Sequence, residues 1–75
     1  TADPADSSEV NAQIQALANL LASVEPELRV VWILREIDEM SYEEIAKTLN
    51  LTVSTVRGRL ARARSLIIRL MKEWA

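Results

Sequence analysis

The chain has 75 residues, with nine Lys or Arg against eleven Asp or Glu, for a formal net charge of -2 at pH 7. It holds no cysteine and no histidine, which excludes disulfides, thiolate chemistry, the usual zinc ligands and the commonest general base. This length supports one small domain, and no apolar run approaches the roughly 20 residues needed to cross a bilayer, so a soluble, cytoplasmic domain without a membrane partner is expected.

The opening "TADPADSSE" is small, polar and acidic. It reads as a linker or frayed terminus over residues 1–8, followed by one domain over 9–75. Asp6 and Glu9 have capping-box spacing, and Val10, Ile14, Leu17 and Leu21 follow at helical intervals, so a first helix is expected near 9–23. In "VEPELRVVWILREID", Pro26 suits a first helical turn and Glu27 complements its positive end. Val30, Ile33, Leu34 and Ile37 give that second helix an apolar stripe, widened by Val31 and Trp32.

"MSYEEIAKTLN" carries the clearest local signal. Ser41 and Glu44 have the spacing of a capping box. Ile45, Ala46 and Leu49 form one buried face of a short third helix, and Asn50 tolerates the left-handed backbone that ends helices. A fourth helix follows, capped by Thr52 or Ser54. At about 100° per residue, Val53, Val56, Leu60, Ala63, Ile67 and Leu70 share its inner side. Ser54, Gly58, Ala61, Arg62, Ser65 and Arg69 share the outer side, Arg57 and Arg64 flank one edge, and Arg59 the other. The fold class expected is all-α: a four-helix bundle containing a helix-turn-helix, homeodomain-like or winged-helix-like without a wing. Trp32 and Trp74 are expected in core or edge packing, with a partner surface as the alternative for Trp74.

The charge is segregated. Residues 1–46 carry Arg29 and Arg35 against ten acids, a balance of -8; residues 47–75 carry seven basic residues against Glu73, a balance of +6. A capped short helix, a tight turn and a long helix with a basic outer face are the parts of a helix-turn-helix, whose second helix enters the major groove. The start of that helix favours phosphate through its free N–H groups and dipole. Ser54 and Thr55 can donate to phosphates, edge arginines reach the groove walls, and outward Arg62 can fork onto a guanine edge. Gly58 costs roughly 1 kcal/mol relative to alanine in a helix interior, so either DNA approaches the backbone there or the surface tolerates it.

The stretch "YEEIAKTLNLTVSTVRGRLARAR" resembles region 4 of bacterial sigma factors, especially the extracytoplasmic-function (ECF) group. It matches that family's pattern at Ser41, Tyr42, Glu44, Ile45, Ala46, Val53, Thr55, Val56, Arg57, Arg59, Arg62, Ala63 and Arg64, and "EPELRVVWILREIDEMS" is similar to the helix that precedes it. The resemblance covers about residues 25–72. The sequence departs from the pattern at Thr52, Ser54 and Gly58, where the family often has proline, glycine and serine.

The resemblance implies recognition of the −35 promoter element, directing RNA polymerase to initiate transcription. Arg57, Gly58, Ala61 and Arg62 would read bases. Thr55, Arg59 and Arg64 would hold phosphates, with Thr52 and Ser54 at the helix start and Ser41 and Tyr42 on the preceding helix. It implies as partners promoter DNA, the β-subunit flap of the RNA polymerase core on the second and third helices, and an anti-sigma factor. A domain of a longer sigma factor is expected, unable to initiate transcription alone. No cofactor is expected and no enzyme: the neighbouring carboxylates Asp38–Glu39 and Glu43–Glu44 have no base, nucleophile or metal set beside them. Two alternatives stay open: a sigma-like decoy that binds anti-sigma proteins, and a LuxR-type response-regulator output domain. The four arginines between Arg57 and Arg64 favour DNA over the decoy, and the Arg-Ala-Arg continuation favours sigma.

Overall fold

The computed structural model describes the backbone of residues 4–74 and the side chains of residues 9–73. Four helices follow in chain order: α1 (Pro4–Ala22), α2 (Pro26–Glu36), α3 (Tyr42–Leu49) and α4 (Val53–Trp74). No strand occurs among the described residues, and no helix there is long and apolar enough to cross a membrane. The all-α helix-turn-helix expectation holds.

The start of α1 differs from expectation. The helix begins at Pro4 rather than near residue 9, so residues 4–8 of the expected linker are helical and Asp6 lies inside the helix, not at its cap. Proline's fixed φ and absent N–H suit a first turn, and small polar residues after it do not prevent helix formation. Residues 1–3 lie outside the described residues. So does the side chain of Trp74, and with it both readings of that residue.

α2 starts without a side-chain cap. Pro26 occupies its first turn, and the N–H groups of Leu28 and Arg29 donate to the Glu25 carbonyl at 3.0 and 2.9 Å. Arg29 also donates to the Leu21 carbonyl at 3.4 Å, tying α2 to the end of α1.

α3 carries the complete capping box. Glu44 N–H donates to Ser41 Oγ at 3.1 Å, and Ser41 N–H donates to Glu44 Oε1 at 3.0 Å. Ser41 holds the Glu44 carboxyl below its ordinary range, first through its backbone N–H and then through its side chain. At the other end Asn50 adopts φ 57° and ψ 49°, the left-handed conformation expected of it. Leu51 N–H then reaches back to the Ala46 carbonyl at 2.8 Å. α4 opens directly after this turn, and Thr52 is its cap: Thr55 N–H donates to Thr52 Oγ1 at 3.1 Å.

Two apolar clusters hold the helices. Leu20, Leu21, Val24, Leu28, Ala63 and Ile67 join the end of α1 and the start of α2 to the middle of α4, with Trp32 packed against them. Val31, Ile45, Ala46 and Val56 join α2 and α3 to the first half of α4. Burial of Val56, Leu60, Ala63 and Ile67 matches the inner stripe read from the 3.6-residue period. Of the stripe expected on α1 only Leu21 is buried, with Leu20 beside it, whereas Val10, Ile14 and Leu17 are 51%, 60% and 41% exposed.

Candidate nucleic-acid interface

The second cluster fixes the angle between α3 and α4, and so decides what α4 presents outward. Val56 and Leu60 point inward, which leaves Ser54, Arg57, Gly58, Ala61 and Arg62 exposed on the first half of the helix. Thr55 and Arg59 are half-buried on the other edge. The four residues expected to read bases therefore share one open surface.

Gly58 stands on that surface with a right-handed backbone, and a Cβ built there meets nothing within 4 Å. The protein's own packing does not call for a glycine at this position.

The start of α4 presents hydroxyl groups and no acid. Thr52 Oγ1 accepts from the Thr55 N–H and donates to Thr55 Oγ1 at 2.9 Å. The Thr55 hydroxyl thus has its acceptor role filled, leaving its own proton to donate. Ser54 is exposed beside it. With no acid in the first turn, the positive end of the dipole is uncompensated by the helix itself.

Ser41 and Tyr42 are half-buried at the start of α3. The Arg57 guanidinium lies over the Tyr42 ring, 5.6 Å from its centroid, and Arg35 lies over the same ring at 5.0 Å. Both distances fall in the range of cation–π attraction. Arg35 is also anchored by donating to the Met40 carbonyl at 2.9 Å. In the sequence Arg35 is marked only by its charge on the second helix. No local spacing rule connects it to Tyr42 across the connecting loop.

Arg64, expected at a phosphate, is paired within the protein in this structure. Its Nε and Nη2 both donate to Oε1 of Glu36, at 2.7 and 2.5 Å. Glu36 raises the Arg64 pKa further above its already high value, with a smaller contribution from the Tyr42 hydroxyl, so the residue is charged throughout the accessible pH range. Among the described residues, no other arginine is ion-paired. Arg57, Arg59 and Arg62 keep their charge free of carboxylate partners, whereas Arg64 is engaged by its own protein.

Arg62 and Ala61 also line a shallow groove with Leu28, Ser65, Leu66 and Arg69. No group of acids capable of holding a metal ion occurs among the described residues.

Among the described residues, the large exposed hydrophobic residues are Ile37 just after α2, Val10, Ile14 and Leu17 on α1, and Ile68 and Met71 on α4. The apolar residues of α2 and α3 are spent on the two internal clusters.

The family model for sigma-70, region 4 matches residues 14–67. The ECF RNA polymerase sigma-E factors of Escherichia coli (strain K12) and Salmonella typhi are each 43% identical to this chain over 53 residues, which is 71% of this chain and 28% of each relative. The ECF RNA polymerase sigma factor SigE of Mycolicibacterium smegmatis is 42% identical over 57 residues, 76% of this chain and 21% of the relative. The chain thus matches less than a third of the length of these relatives.

Proposed function

This chain belongs to the sigma-70 region 4 family, and on that premise we propose that it recognises promoter DNA at the −35 element for an ECF-type sigma factor, with the first half of α4 in the major groove. The observation that carries this reading is the surface of Arg57, Gly58, Ala61 and Arg62: it is exposed, and no carboxylate pairs with either arginine. Arg57 and Arg62 are able to fork onto guanine O6 and N7. Gly58 lets the helix backbone come close to the bases, and Ala61 offers a methyl surface to a thymine. Thr52, Ser54, Thr55 and Arg59 position the helix on phosphates, with Ser41 and Tyr42 meeting the backbone from α3. Arg35, brought to Tyr42 by the fold, joins this phosphate set. The role is binding, without catalysis.

The second partner is the RNA polymerase core, through the β-subunit flap. The exposed apolar residues Val10, Ile14 and Leu17 of α1 and Ile68 and Met71 of α4 support a protein contact in addition to the expected face on α2 and α3, because exposed apolar surface is what a protein partner covers. An anti-sigma factor would act by covering either face.

Selection from a randomised duplex library at two salt concentrations tests the DNA reading. Specific enrichment is expected, weaker at the higher salt because phosphate contacts release counterions, and lost in Arg62→Ala. Absence of enrichment together with tight binding to an anti-sigma protein would replace this reading with the decoy.

A further inference from the structure

Arg57 and Arg64 lie on one edge of α4, seven residues and two turns apart, yet their surroundings differ. Arg57 ends at the Tyr42 ring on the rim of the DNA surface. Arg64 ends on Glu36, the last residue of α2, 28 positions earlier in the chain. By helix rise Arg64 lies about 16 Å along α4 from Val53, beyond the N-terminal residues with which such helices read base edges.

Glu36 is itself out of place. A carboxylate at a helix C-terminus faces the negative end of the dipole, and Arg35 already supplies the favourable charge in that turn. Glu36 instead accepts two N–H groups of Arg64 on one oxygen. The neighbouring Ala63 is completely buried and packs in one cluster with Leu28 of α2. The pair ties the end of α2 to α4.

Resting on the DNA reading above, we propose that Arg64 is a positioning residue of the DNA interface, joined to Glu36 to set the angle of α4, and that it takes no phosphate. An exposed ion pair contributes little to overall stability. Its consequence lies in base discrimination, which depends on where Arg57 and Arg62 meet the groove.

The test uses the 75-residue chain with two probes: a duplex enriched by the wild-type chain and a scrambled duplex of equal length. Affinities are measured over a range of salt for Arg64→Gln, Glu36→Gln and the charge-swapped double variant Glu36→Arg/Arg64→Glu, with thermal melting to establish that each is folded. Each single variant is expected to lower the enriched-to-scrambled affinity ratio by a factor of about two to five, the scale of an exposed ion pair. Neither single variant should alter the slope of log K against log salt, and the swap should recover the ratio. A slope reduced by about 0.9 in Arg64→Gln alone is the mark of a lost phosphate contact and overturns the proposal. An unchanged ratio in both single variants overturns it as well, leaving an incidental surface pair. A wild-type chain with no salt-sensitive binding to either probe is a different failure: that of the DNA reading itself.

Discussion

Along α3 and the start of α4, short-range devices secure each helix end: the Ser41–Glu44 box, left-handed Asn50 and the Thr52 cap. Beneath them Val31, Ile45, Ala46 and Val56 are buried together. α1 is built differently: its last turn is anchored by Leu20 and Leu21, but the apolar stripe continues outward through Leu17, Ile14 and Val10 into solvent. Under the proposed function, the contrast separates two tasks. A helix that reads bases must be held rigidly, because a small change in its angle moves every side chain along the groove. A helix that keeps apolar residues exposed is suited to being covered by something else. The chain is acidic through residue 46 and basic after it, so most of the positive charge lies on α4.

The largest test of this contrast is a pair of truncations. Ile45 is fully buried and Ile14 is 60% exposed. Ile45→Ala should destabilise the fold by about 2–5 kcal/mol through lost burial and a cavity. Ile14→Ala should change stability by no more than about 0.5 kcal/mol. Chemical denaturation measures both, and equal losses would mean that α1 is as integral to the fold as the helix-turn-helix.

Next in size is Gly58→Ala. With open space around the added methyl and a right-handed backbone, this change should stabilise α4 by roughly 1 kcal/mol. It should weaken binding to an enriched duplex at the same time. A stabilised variant with unchanged affinity would show that DNA does not approach the helix backbone at this position.

The smallest effect concerns pH. The Glu44 carboxyl titrates below its ordinary value of 4.5 because it accepts from Ser41. Its contribution to stability is therefore fully present above 4.5 and is lost as pH falls through the lower, folded-state value. Thermal melting between neutral pH and pH 3 should show a shallower acid decline in Glu44→Gln than in the wild type. Parallel curves would mean that the box contributes nothing through ionisation.

These regions also differ in how plainly the sequence announces them. The cap, the turn and the apolar face of α4 depend on residues within four positions of each other, and the structure reproduces each one. The start of α1 was obscured because proline followed by small polar residues has the composition of a linker as well as of a first helical turn. Arg64 on Glu36 and Arg35 on Tyr42 were beyond reach for another reason. Each pairing depends on how α2 lies against α3 or α4, and local periodicity carries no information about that angle. The outward direction of Arg57, Gly58, Ala61 and Arg62 could be read because it needed only the buried side of one helix. Which arginine stays free of a carboxylate required the fold.

The division of the molecule into a DNA-facing surface and a separate apolar surface is tested most directly by amide chemical-shift mapping during titration with an enriched duplex. Shifts should concentrate at residues 52–62 and at Ser41 and Tyr42, leaving Val10, Ile14 and Leu17 unmoved. Shifts centred on α1, with the first half of α4 unaffected, would contradict the assignment.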